Sequence, residues 1–169
     1  MIPYIEHHIV DHCNLKCAGC SHFSCISDPW FEDLDAFQHD FTQLAALTNH
    51  YIPLIRIMGG EPLLHPDVKE FLRITRALFP GSTIHLVTNG LLLKQKKEEL
   101  MDFCNENHIV ICTSNYGILN LAEILSGFKY TRVDSKVQMY NISLHIEGGR
   151  NQNLSFNMCD LHLYKWYYF

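Results

Sequence analysis

The chain has 169 residues, with 13 Lys and Arg against 18 Asp and Glu, giving a net charge of −5 with its 11 histidines neutral. At 47% hydrophobic and 18% charged it is too apolar for an intrinsically disordered chain, and its length suits one domain that buries roughly two-thirds of its unfolded surface. The mild acidity speaks against a nucleic-acid binder, which carries a basic face, and no apolar run nears the roughly 20 residues that span a bilayer. The opening stretch MIPYIEHHIVDHC contains Glu6, His7 and His8, so it does not read as a signal peptide. A soluble, cytoplasmic protein is expected, with neither nucleic acid nor membrane as partner.

In chain order, residues 4–10 (YIEHHIV) read as a strand followed by a cysteine loop. Asp28-Pro29 has the form of a helix cap with proline at the first helical position, ahead of Phe31, Leu34, Phe37, Phe41 and Leu44 at helical spacing. Residues 53–58 (PLIRIM) form a second strand ended by Gly59-Gly60, and His65-Pro66 opens a helix with Val68, Phe71, Leu72, Thr75 and Leu78 as its buried stripe. A third strand covers 83–87, closed by Thr88-Asn89-Gly90. A Lys- and Glu-rich helix covers about 93–106, and a fourth strand runs from His108 to Thr113. A short helix around 118–127 and a fifth strand at Asn141–Ile146 complete the pattern. Alternating strands and helices call for an α/β fold with a parallel sheet of about five strands. The core is expected to span residues 1–150, leaving an aromatic tail at 151–169.

Seven cysteines, an odd number without an export signal, argue against a disulfide framework. Cys13, Cys17, Cys20 and Cys25 fall within thirteen residues, and clustered thiols in a reducing compartment point to metal. Cys13, Cys17 and Cys20 have C-x3-C-x2-C spacing. Cysteine thiolates hold iron–sulfur clusters, four for a [4Fe–4S] cube, so three would leave one iron open to a ligand. The alternative is a four-coordinate zinc site completed by Cys25, His12 or His22. Gly59-Gly60-Glu61-Pro62 ends the second strand. Its glycines lack the Cβ that would keep a ligand from the backbone, and Glu61 can accept from an ammonium group.

CNLKCAGCSHF, MGGEPLLHPD about forty residues later and TNG at the third strand's tip together resemble the radical SAM superfamily, in its order and spacing over about residues 4–120. The resemblance implies a partial (β/α) barrel whose cluster loop is 12–25 and whose cofactor loop is 59–62. It implies a [4Fe–4S] cluster on Cys13, Cys17 and Cys20, and S-adenosylmethionine held by Gly59, Gly60, Glu61 and Pro62. Thr88, Asn89 and Ser114 match positions that meet the cofactor's ribose and carboxylate. Zinc explains neither GGEP nor TNG. The residue before the third cysteine, often aromatic in the family, is Gly19 here, and Phe23 is the candidate to fill that space. Cys25 is expected to be a packed thiol without a role. The implied chemistry is reductive cleavage of S-adenosylmethionine to a 5′-deoxyadenosyl radical that abstracts hydrogen from a small-molecule or glycan-type substrate. A flavodoxin- or ferredoxin-like partner would supply the electron. The cofactor carries the chemistry, so no general acid or base is nominated.

Strand alternation adds a candidate substrate face: Glu6, His8, Arg56, His85 and His145 alternate with apolar neighbours and are expected to line an open lumen. Five strands are few for this family, and the chain ends with five aromatics in six residues. A tail capping the barrel edge competes with a C-terminally truncated relative, of which truncation is favoured. A catalytically incomplete remnant, or a fragment completed by a partner chain, is the competing functional reading.

Overall fold

The computed structural model describes residues 2–17, 20–24 and 26–135. Its centre is a five-stranded parallel sheet in sequence order: β1 (Tyr4–His8), β2 (Leu54–Met58), β3 (Thr83–Thr88), β4 (Ile109–Asn115) and β5 (Thr131–Ser135). Helices α1 (Leu34–Leu47), α2 (Val68–Leu78), α3 (Leu93–Glu106) and α4 (Leu121–Leu125) lie between consecutive strands, with a short 3-10 turn at Pro62–Leu64. Among the described residues no helix is long and apolar enough to cross a membrane.

Register decides which side chains share a face. Ile55, Ile57, Ile84, Leu86, Ile109 and Ile111 fall on one side and are essentially inaccessible to solvent. They pack with Phe37, Phe41, Phe71, Phe79 and Leu100 from the helices in one continuous core. The helices supply the apolar stripes that period 3.6 requires. Phe37 is the centre, with Phe41 at 3.9 Å and Phe71 at 4.8 Å between ring centroids. The opposite side of the sheet carries Glu6, Arg56, His85, Cys112 and Asp134 by the same alternation.

Two elements depart from the sequence reading. Helix α1 starts at Leu34, capped by Asp33, whose side chain accepts from the Ala36 amide at 2.9 Å. Asp28-Pro29 is not its start. The segment before Asp33 instead runs extended beside the end of β1, with Asp11 N–H on Trp30 O at 3.1 Å and Glu32 N–H on Ile9 O at 3.0 Å. Main-chain donors past β1 need acceptors, and this stretch supplies them in place of a helical turn. The second departure is β5, a largely exposed strand, last in the sheet order among the described residues, reading TRVDS and lacking the apolar signal used to find strands. The expected strand Asn141–Ile146 lies outside the described residues, as do Ser143, His145 and the tail 151–169.

Candidate cluster and cofactor site

Three loops meet at the C-terminal ends of β1, β2 and β3. Hydrogen bonding between β1 and β2 continues beyond both strands: Ile9 N–H donates to Met58 O (2.9 Å), Gly60 N–H to Val10 O (2.7 Å) and Glu61 N–H to His12 O (2.9 Å). This zipper runs to within one residue of Cys13. It also explains the glycine pair. A Cβ on Gly59 would lie 2.2 Å from Val10 O, and one on Gly60 would lie 2.1 Å from His12 O. The sequence reading had these glycines admitting a ligand. The near neighbour on their Cβ side is the chain's own backbone, and Gly59 also has φ +151°.

Glu61 is fully buried. Its Oε1 accepts from Leu63 N–H (3.0 Å) and the Thr88 hydroxyl (2.7 Å), and its Oε2 accepts from Asn89 N–H (2.7 Å). Burial pushes the carboxyl up to about 7, while the three donors pull the other way. The expected ammonium acceptor is therefore a fastener between the GGEP and TNG loops, its carboxylate engaged by protein donors. Pro62, also buried, opens the 3-10 turn that follows. Thr88 completes the junction by accepting from Gly90 N–H at 3.0 Å.

Asn89 ties this pair to the cysteine loop. Its Nδ2 reaches Asn14 Oδ1 at 2.7 Å and Cys13 Sγ at 3.8 Å, and Leu15 N–H approaches the same sulfur at 3.4 Å. Burial pushes the Cys13 thiol up to about 11, opposed by the Leu15 amide and reinforced by Glu61, Cys17 and Cys20. Cys17 is buried and Cys20 half-buried, with Cys20 N–H on Cys17 O at 3.2 Å. Among the described residues no three His, Cys, Asp or Glu side chains converge on a point suited to a single ion. A cubane asks for something else, since each cysteine then takes a separate iron. Three neighbouring thiols, one already facing two N–H donors, fit such a group. Gly19 and Cys25 lie outside the described residues.

Ser114 is the penultimate residue of β4, at its C-terminal end, and hydrogen-bonds Tyr116. The Tyr116 hydroxyl is held well above its ordinary range by burial and by proximity to Cys17, Cys13 and Cys20. Phe23 stands half exposed with φ +55°, in a chain of turns linking Cys20 to Ser27. His65 of the HPD segment is buried: its Nδ1 accepts from Asp67 N–H at 3.0 Å, which leaves Nε2 to donate to Glu32 O at 3.0 Å. That histidine anchors the loop after GGEP to the segment leading into α1.

On the sheet face opposite the helix-packed core, Arg56 forms an ion pair with Glu6, and Tyr4 hydrogen-bonds both. His85 is buried beside them, and burial, then the nearby Arg56 and Arg132, lower its pKa. Cys112 lies 3.4 Å from Asp134, which Arg132 pairs at 2.9 Å. His8 stacks edge-on with His22, 4.6 Å between ring centroids. Four of the five expected face residues, Glu6, His8, Arg56 and His85, thus lie on this side.

Residues 8–111 match the Radical SAM superfamily. The chain belongs to the radical SAM superfamily. It is 31% identical over 101 residues to a GTP 3′,8-cyclase of Chlorobaculum tepidum, covering 60% of this chain and 30% of that one. To the GTP 3′,8-cyclase of Lactiplantibacillus plantarum it is 29% identical over 162 residues, 89% of this chain and 47% of the relative. It therefore spans less than half the length of these curated relatives. The solved structure of BtrN with AdoMet and 2-DOIA superposes with a TM-score of 0.65 at 18% identity, covering 82% of this chain and 58% of that one. A structure of anSMEcpe with AdoMet and a peptide gives 0.57 at 16% identity, covering 82% and 46%. Both share the radical SAM fold, a partial barrel.

Within that radical SAM frame, sequence reasoning missed Tyr116, Tyr4, Cys112, Arg132 and Asp134. Carrying the period-two test through TRVDS would have found the last two, and it was the polarity of that stretch that hid them. Tyr116 had one available signal, an aromatic residue two places beyond Ser114.

Proposed function

We propose that this chain is the cluster- and cofactor-binding portion of a radical S-adenosylmethionine enzyme. Cys13, Cys17 and Cys20 would hold three irons of a [4Fe–4S] cluster, and the GGEP and TNG loops would bind S-adenosylmethionine against the fourth. The observation that carries this is the junction at Asn89, where the cysteine loop, Glu61 and the tip of β3 are hydrogen-bonded into one unit. When bound, the reduced cluster supplies an electron to the sulfonium, which cleaves a carbon–sulfur bond and leads to hydrogen abstraction from substrate.

The chain's own residues bind and orient. The zipper from Ile9 to Glu61 fixes the distance between the cysteine and GGEP loops, and Glu61 fixes GGEP against TNG. Cys17 is buried and Cys13 and Cys20 half-buried, which would limit water at the ligands of a bound cluster. Glu6, His8, Arg56 and His85 would meet a polar small-molecule or glycan-type substrate, with His145 as a fifth contact. Their mixture of donors and acceptors suits hydroxyl-rich or zwitterionic groups. A flavodoxin- or ferredoxin-like protein would deliver the electron.

The test is anaerobic purification, reconstitution with iron and sulfide, and assay of S-adenosylmethionine cleavage after reduction. A brown protein that cleaves the sulfonium supports the reading, with Cys17→Ala losing cluster and cleavage together and Cys25→Ala keeping both. A colourless, zinc-loaded protein inert toward the sulfonium would overturn it.

A further inference from the structure

We propose that Asn89 is a positioning residue for the iron–sulfur centre, its side-chain amide donating to Cys13 Sγ and raising the reduction potential of the cluster bound there. The inference rests on the reading of Cys13 as a cluster ligand.

Four hydrogen bonds fix the Asn89 side chain and backbone. Its Oδ1 accepts from Leu91 N–H at 3.0 Å, which orients the amide so that both Nδ2 hydrogens face the cysteine loop. One hydrogen goes to Asn14 Oδ1 at 2.7 Å and the other to Cys13 Sγ at 3.8 Å. The main-chain N–H is held by Glu61 Oε2 at 2.7 Å, and Glu61 is itself tied to Thr88 and Leu63. Asn89 is only 6% exposed, so little water competes for its amide, while Cys13 itself is half-buried. The sequence reading gave Asn89 to the organic cofactor. In the structure both of its side-chain donors serve the cysteine loop.

The consequence follows from charge. A thiolate ligand carries more negative charge when the cluster is reduced, so an N–H aimed at its sulfur stabilises the reduced form more than the oxidised one. Leu15 N–H, 3.4 Å from the same atom, acts in the same sense but belongs to the loop backbone. Asn89 supplies the side-chain contribution that mutation can remove.

The experiment is a redox titration of the reconstituted full chain, followed by electron paramagnetic resonance without S-adenosylmethionine. It compares wild type with Asn89→Ala and Asn89→Ser. The alanine variant removes the donor without adding charge. The serine variant removes the amide while keeping a neutral acceptor near Leu91 N–H, and serves if the alanine variant does not fold. The expected result is a ratio of reduced to oxidised cluster about tenfold lower at a fixed potential, a downward shift of about 59 mV for one electron, at unchanged iron content. Variants with full iron content and the wild-type potential overturn the inference while leaving the reading of Cys13 intact. Loss of iron from both variants with their helical circular dichroism retained also overturns it, by making Asn89 a brace for assembly. A wild-type chain that takes up no cluster overturns both.

Discussion

Replacing Gly60 by alanine tests the claim that the glycine pair accommodates the chain's own backbone. The added methyl carbon would lie 2.1 Å from His12 O and 2.5 Å from His12 C, where ordinary contact begins near 3.4 Å. The obstacle is main chain, so no rotamer change relieves it, and the GGEP loop and cysteine loop must part by more than an ångström. That separation breaks the bonds from Gly60 N–H to Val10 O and from Glu61 N–H to His12 O, at 2.7 and 2.9 Å. Two backbone hydrogen bonds at about 1 kcal/mol each, with about 1–3 kcal/mol for overpacking, give a loss of about 3–5 kcal/mol. At about 2–4 °C per kcal/mol for a chain of this size, the melting temperature should fall by roughly 6–20 °C. Gly81→Ala is the control. Its methyl would meet only the Tyr51 ring at 3.6 Å, so its effect should stay within about 0.5 kcal/mol. Thermal unfolding of the metal-free protein by circular dichroism measures both. Equal melting temperatures for the two variants would refute the packing argument.

Two further outcomes follow from buried groups. Burial raises Glu61 from 4.5 to about 7, so the folded state keeps a proton that the unfolded chain has released across that interval. Its contribution to stability is present below about 4.5 and is lost as pH rises toward 7. Melting temperature measured from pH 5 to 7.5 should decline more steeply in wild type than in Glu61→Gln, and parallel profiles would count against the raised value. Phe37, inaccessible to solvent and in contact with Phe41, Phe71 and His7, should cost about 3–5 kcal/mol when cut to alanine. Urea denaturation with an unchanged slope would measure that loss, and a value under about 1 kcal/mol would mean the core is not centred there.

The legible parts of the fold were those carried by local pattern. Val68, Phe71, Leu72 and Thr75 recur at helical spacing and are the buried face of α2. Ile55 and Ile57, with Ile84 and Leu86, flank single polar residues, and that alternation puts Arg56 and His85 on the face opposite the helix-packed core. Asp28-Pro29 misled because its capping chemistry is real but the same backbone had a competing use beside β1. β5 was illegible because none of its five residues is buried, and its pairing with β4 through main-chain bonds needs no apolar side chains.

At the site, spacing within one loop determined the cysteine cluster, and motif order along the chain determined that GGEP and TNG belong with it. Composition and periodicity likewise determined the α/β class, since both are properties of residues close in sequence. Only the tertiary structure decided what the motif residues touch. Glu61 meets Thr88 and Asn89 across 27 and 28 residues, and Asn89 meets Cys13 across 76. Such contacts depend on strand register and on which carboxylate oxygen faces which donor, and no one-dimensional pattern encodes that geometry.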